Sequence, residues 1–391
     1  MENVVSHTGM NKLLLVTALL LICIGIPIIY TASAHFAVSQ GFPAEHYLQK
    51  HLAKVVFGLI LMFIFARYVD YGYWQWLGRI AFVGGAILTI TALVAGHGVK
   101  GANRWIFGIQ PSEIMKLGML ICICAKLSQA GDNIKSVACT LVQPGIFFGT
   151  AALLIALQPN YSMIVMLSFV VMCVMVTAGV NLKYLAMTIG AVAPLGLLML
   201  LVTGHSSKRI HAFFADEGEM VASNWQGEHA LEALGNGGWT GTGFGMGVQK
   251  LGYLPEAHKD VIYAVVGEEF GVLGTLGLLA LYAVLFAQGF KIARESSTLF
   301  GKYVAVALTY SLFFNFLVHV CVCVGLFPMT GQPLPFITFG GTNLIYSCVA
   351  VGILLNISRP NTGKKIREPY TSASTMSSSA FRNFDFTRSG V

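Results

Sequence analysis

The stretch LLLVTALLLICIGIPIIYTAS, residues 13–33, runs 21 positions without a charged side chain. A helix needs about 20 mainly apolar residues to cross the ~30 Å hydrocarbon core of a bilayer. The stretch is too long and too poorly flanked for a cleaved signal sequence, whose apolar part covers ~7–15 residues. Outward from it the pattern recurs at about 52–68, 79–96, 114–130, 141–157, 162–180, 184–203, 261–289, 303–325 and 334–357. The chain therefore reads as an all-α polytopic membrane protein of about ten transmembrane helices, with a membrane domain at 13–357. Residues 1–12 read as a cytoplasmic N-terminus, and 358–391, rich in Ser and Thr, as a disordered cytoplasmic tail.

Composition excludes the other classes. Of 391 residues, 55% are hydrophobic and 10% charged, where soluble domains carry roughly 25% charged residues. The net charge of +7 is scattered through short loops, which sets membrane orientation and gives no footprint for nucleic acid. The eight cysteines lie in or beside apolar runs. Cys122/Cys124 and Cys321/Cys323 are two apart and so point to nearly opposite helix faces, which suits packing better than disulfides or metal.

An even number of spans puts both termini on one side. Placing them in the cytoplasm puts the excess of Lys and Arg inside, as the positive-inside rule prefers. Residues 204–260, between spans seven and eight, then form a large extracytoplasmic loop, far beyond the ~12–15 residues at which loops tend to be functional or disordered. Its aromatic residues (Phe213, Trp225, Trp239, Phe244, Tyr253) and a helical pattern at Trp225–Leu234 are not those of a linker.

Four polar constellations fall at this outer edge. GNGGWTGTGFGMG, residues 235–247, lacks the strand, helix and lysine of a nucleotide-binding loop. It is either a turn-rich connector or a backbone cradle for a phosphate-bearing substrate. QKLGYLPEAHKD, residues 249–260, brings Lys250, Glu256, His258 and Asp260 to the membrane edge, with Glu268 and Glu269 two turns into the next span. Ionisable groups at membrane depth are costly and usually functional, and a half-apolar setting raises a carboxylate toward the range of a general base. An ordinary interfacial acid is the plainer reading. A Glu-His-Asp metal site has no HExxH pattern behind it, and no metal ligands are assigned. In GANRWI (101–106) and QPSEIMK (110–116), Pro111 suits a helix start, and Glu113 and Lys116 share a face as an ion pair or as part of an anion site with Arg104. Gln158-Pro-Asn160 and TGQPLPFITFGG (330–341, with Gln332) supply broken backbone, tolerated at membrane depth only inside protein or along a cavity. His319, alone in span nine, reads as a hydrogen-bonded packing residue.

These segments resemble the SEDS family of bacterial membrane proteins (shape, elongation, division and sporulation). The likeness runs from Asn11 to Arg359, and Leu-Pro-Glu-Ala-His-x-Asp is its most specific part. Residues 252–258 and 267–269 look most like the division member, with the elongation and sporulation members as close relatives. The resemblance implies a peptidoglycan glycosyltransferase that polymerises lipid II at the outer face of the bacterial cytoplasmic membrane, at the division septum. It also implies a class B penicillin-binding protein and other divisome membrane proteins as partners. It leaves room for a divalent cation, Mg or Mn, as cofactor. Carried over, Asp260 is the catalytic carboxylate. Glu113 and Lys116 line the central cavity and Arg104 lies beside the donor diphosphate, with Lys250, Glu256, His258 and Gln332 as further substrate contacts. Gln158, Asn160, Glu268 and Glu269 support them. Two positions depart from the family pattern: Lys259 stands where Thr is frequent, and Asn160 where Asp is frequent. A lipid II flippase or other transporter, and a non-catalytic divisome scaffold, are the rival readings.

Overall fold

The computed structural model describes residues 9–69, 71–95, 97–99, 102–106, 108–187, 190, 213, 222–254 and 256–359. Three helices come first: α1 (Lys12–Ser39), α2 (His46–Arg67) and α3 (Trp74–Ala95). A short antiparallel hairpin, β1 (His97–Val99) and β2 (Ala102–Trp105), follows, with a register irregularity after His97. Then come α4 (Pro111–Gln129), a π-helical turn at Ala138–Val142, α5 (Gln143–Leu157) and α6 (Tyr161–Ala178). The second half contains α7 (Ala222–Gly237), α8 (Ile262–Glu295), α9 (Leu299–Cys323) and α10 (Gly341–Ile357).

Nine of the ten expected spans fall on these helices. Among the described residues seven helices are long and apolar enough to cross a membrane. This is an integral membrane protein of polytopic helical architecture. Helix α4 is apolar apart from three charged residues (Glu113, Lys116, Lys126), and α10 has 17 residues. The span at 184–203 begins in helical residues 182–187 and otherwise lies, but for residue 190, outside the described residues, as do most of 204–221 and the tail from 360.

Local signals set the helix ends. The Asn11 side chain caps α1 by accepting from the Leu14 amide at 3.0 Å, and Thr298 caps α9 from Gly301 at 3.1 Å. Helix α6 stops at Gly179 in the left-handed region, φ 78°. The tenth span is shorter than hydropathy alone gives. Pro333 and Pro335 cannot continue a helix and Phe336 has φ 68°, so 334–340 is a loop that only then feeds α10.

Small residues let the helices approach closely, as membrane interfaces require. Gly85 and Gly118 hold α3 against α4: a Cβ on either would overlap backbone of Met115 or Phe82. Side-chain hydrogen bonds then define two ends. At one, Trp74 Nε1 donates to Asn356 Oδ1 at 3.3 Å, and Arg359 donates to the carbonyls of Ala66 and Arg67. At the other, the Gln110 amide donates to Thr342 Oγ1 at 2.7 Å and the Phe339 amide to the His258 carbonyl at 3.0 Å. All the polar motifs singled out above gather at this second end.

Candidate active site

The first element is a broken helix. Gly271, at φ 65° and ψ −163°, interrupts α8. A break there removes the partners of two carbonyls, Glu268 and Glu269, and of two amides, Val272 and Leu273. The glycine-rich loop after α7 satisfies all four. Val272 and Leu273 donate to the carbonyls of Gly238 (2.9 Å) and Trp239 (3.2 Å). Thr242 and Gly243 donate to those of Glu268 (2.9 Å) and Glu269 (3.0 Å). Only glycine fits at 271, since a Cβ would stand 2.6 Å from the Trp239 carbonyl. The loop is thus neither a free connector nor an open phosphate cradle; its backbone is spent on repairing α8.

The side chains continue the fastening. Glu268 Oε1 accepts from the amides of Val248 (2.7 Å) and Gln249 (3.1 Å). Glu269 forms a buried ion pair with Lys250, and Thr31 Oγ1 donates to its second oxygen at 3.3 Å. Lys250, Glu268 and Glu269 therefore hold the loop before α8 rigidly on the membrane domain.

That fixed loop leads into one helical turn, Ala257–Asp260, entered through Glu256 in the left-handed region at φ 54°. His258 is fully buried among Phe36, Tyr47 and Phe339, with ring centroids 4.9–5.6 Å away. Burial pushes its pKa down to about 3, with Lys259 adding to the effect and Glu256 opposing it. The neutral ring is a packing anchor, and two residues on Asp260 is half-buried with its carboxylate beside Gly331: a Cβ there would lie 3.7 Å from Oδ1. Glu256 and Lys259 pair at 3.6 Å near the surface, a contact worth little.

The 330–340 loop is held from behind. His319 Nδ1 donates to the Gln332 carbonyl at 2.8 Å, Nε2 faces the Tyr263 amide at 3.5 Å, and the Tyr282 hydroxyl donates to the Pro335 carbonyl. His319 is the hydrogen-bonded packing residue expected, and Gln332 enters the site through its backbone.

Helix α4 brings the remaining charges. Glu113 and Lys116 pair at 2.5 Å, both buried, and Lys116 Nζ lies 3.8 Å from the Tyr346 ring centroid. Tyr346 in turn donates to Ser311 Oγ at 2.6 Å. Arg104 Nε and Nη2 donate to the carbonyls of Gln158 and Pro159, both at 2.6 Å, so its guanidinium sits on the α5–α6 corner. Among the described residues, neither amide atom of the fully buried Gln158 side chain has a partner, and the Asn160 side chain reaches only Met163 Sδ at 3.6 Å. Ser112, Gln249 and Asn343 also have buried polar atoms at this end with no partner among the described residues. Such atoms are rare in folded proteins and mark places where water or a ligand completes the bonding. Among the described residues no three His, Cys, Asp or Glu side chains converge to hold a metal ion. Sequence reasoning missed Tyr346, Phe339 and Lys54, whose Nζ lies 4.3 Å from the Phe339 ring. Only Lys54, a charge in the first turns of an apolar span, carried a visible signal.

Fold and site together define a polytopic membrane protein with a rigidly fastened glycine-rich loop and an acid–base cluster at one end of its bundle. The FtsW/RodA/SpoVE family, described as cell cycle proteins, matches residues 11–363, and the chain belongs to it. It is similar to the probable peptidoglycan glycosyltransferase FtsW of Trichlorobacter lovleyi, with 31% identity over 90% of this chain and 96% of that protein. It is also similar to stage V sporulation protein E of Bacillus subtilis, with 33% identity over 90% of this chain and 98% of the other. Rod shape determining protein RodA of Thermus thermophilus shares the fold, with a TM-score of 0.68 and 22% identity over 93% of this chain and 100% of that one.

Proposed function

We propose that this chain is a peptidoglycan glycosyltransferase that polymerises lipid II at the outer face of the bacterial cytoplasmic membrane during division, with both termini cytoplasmic. The observation that carries the reading is Asp260: a half-buried carboxylate on a short helical turn, beside Gly331 at the end where the other polar motifs gather. The names of the curated relatives agree with it. A transporter would place its charges near the midplane around repeat-related broken helices. Here the acid–base residues cluster at one end, which favours transfer chemistry on a substrate held at the interface.

Lipid II carries its disaccharide on a lipid-anchored diphosphate, so its reacting atoms lie just outside the membrane. Asp260 takes the proton from the acceptor sugar's 4-hydroxyl as that oxygen bonds to the donor's anomeric carbon. The carbon–oxygen bond to the diphosphate breaks on the opposite side, and the α-linked donor becomes a β-linked product. The buried Lys116 cation, positioned by Glu113 and Tyr346, meets the departing diphosphate charge. Positioning and electrostatic preorganisation supply most of the barrier reduction. A divalent cation, Mg or Mn, fits as one held jointly by a carboxylate and the substrate's phosphates, the usual manner for Mg. Partners are a class B penicillin-binding protein and other divisome proteins. A solved structure of similar fold, TM-score 0.73, is of a peptidoglycan synthase complex that coordinates polymerization and crosslinking.

The test is polymerisation of fluorescent lipid II by the purified chain with its class B partner. Asp260→Asn keeps the shape and removes the base, so glycan ladders disappear. Ladders at the wild-type rate would sink the assignment.

A further inference from the structure

At the end of the bundle away from Asp260, a cavity of about 520 Å³ opens between α3, α4 and α5. Its walls are apolar, formed by Phe82, Val83 and Phe147, with Cys122 on its floor. Phe82 and Phe147 meet edge to face at 5.3 Å and fix that wall. Two cations, Arg79 and Lys126, stand at its rim, both exposed, and among the described residues no carboxylate lines it. Neither makes an ion pair with a described residue. A second cavity of about 270 Å³ shares Lys126 and extends the polar side toward the π-helical turn. Next to the apolar wall, α3 and α5 expose Ile80, Ile87, Ile146 and Leu153.

We propose that this cavity binds an anionic phospholipid, its phosphate between Arg79 and Lys126 and one acyl chain along Val83 and Phe147. Two cations with no ion-pair partner among the described residues, above an apolar wall at the end of a span, match such a molecule in charge and in depth. Basic pockets between transmembrane helices on the cytoplasmic side take anionic headgroups, and an apolar wall beside them takes an acyl chain. In the orientation given above the leaflet is the cytoplasmic one. The inference otherwise stands apart from the transferase reading, because its test reads binding and no turnover.

The experiment is native mass spectrometry of the purified full chain titrated with phosphatidylglycerol or phosphatidylethanolamine. The wild type retains one phosphatidylglycerol at least tenfold more strongly than phosphatidylethanolamine. Arg79→Gln with Lys126→Gln removes that preference. Lys12→Gln with Lys302→Gln, two cations at the same end but outside the cavity, keeps it. Val83→Trp keeps both rim cations and fills the wall; it also loses the lipid, and it carries the test should the double variant fail to fold. Equal retention by the cavity and control variants, or no headgroup preference in the wild type, overturns the proposal.

Discussion

Lys250 and Glu269 form an ion pair in which both side chains are almost wholly buried, at 4% and 1% exposure. One lies in the loop between α7 and α8 and the other in α8, just before its break at Gly271. The pair is therefore a clasp between loop and membrane domain, with Lys250 ten residues before and Glu269 nine residues after the carboxylate assigned to catalysis. Removing one member of a buried pair leaves an uncompensated charge and costs about 3–5 kcal/mol. Lys250→Met is expected to lower the thermal unfolding midpoint in detergent and to reduce polymerisation with it. Adding Glu269→Gln, which removes the stranded charge, restores part of the midpoint. A Lys250→Met protein as stable as wild type would refute the clasp.

Gly331 is the residue that Asp260 faces, and its φ of 68° favours glycine. An alanine there costs roughly 1–2 kcal/mol of backbone strain and sets a methyl 3.7 Å from the carboxylate. Gly325→Ala is the matched control: its φ is 74°, but the added methyl meets Leu231. The expected result is a polymerisation rate at least tenfold lower for Gly331→Ala than for Gly325→Ala, at similar stability. Equal rates would mean that Gly331 does not border the reacting groups.

His258 ties stability to pH. Its folded-state value of about 3 lies below the ~6.5 of an unfolded histidine, so between those values the unfolded chain binds the extra proton. The histidine carries no penalty above about pH 6.5, and stability falls as the pH drops through that window. The loss at pH 5 is about 2 kcal/mol. His258→Phe keeps the ring packing against Phe36, Tyr47 and Phe339 and removes the proton site. Its unfolding midpoint should fall less than that of wild type between pH 7 and pH 5. Parallel slopes would show that His258 already takes up its proton in the folded state.

The fold was largely legible because the bilayer imposes a length rule that ~20-residue apolar runs satisfy visibly. What hydropathy reads poorly is where backbone stops being helical inside an apolar run. The tenth span therefore starts at Gly341, beyond Pro333 and Pro335, and the break at Gly271 passes unseen because no proline marks it between Glu269 and the apolar run that follows. The residue types of the site were legible too, since charges at membrane depth stand out. Their division of labour was not. Lys250 looks like a substrate contact, and Glu268 and Glu269 like its supports, until the broken helix shows which backbone groups need partners. Tyr346 and Phe339 gave no sign, because an aromatic residue in an apolar run is indistinguishable from packing until a cation is seen against its ring.

Arg104 allows the sharpest separation of two roles. As a diphosphate contact it would act through its charge, and lysine would replace it in part. As the structure has it, Nε and Nη2 donate in parallel to the carbonyls of Gln158 and Pro159, at the point where Pro159 takes φ 27° between α5 and α6. A lysine ammonium has no planar fork and cannot hold both carbonyls in that geometry. If the corner is what matters, Arg104→Lys loses polymerisation nearly as fully as Arg104→Gln, each by at least tenfold, and both unfold at lower temperature. If the charge is what matters, Arg104→Lys keeps most of the rate, Arg104→Gln does not, and neither changes the unfolding midpoint. The double hydrogen bond to the corner favours the first outcome, and the two variants measured side by side decide it.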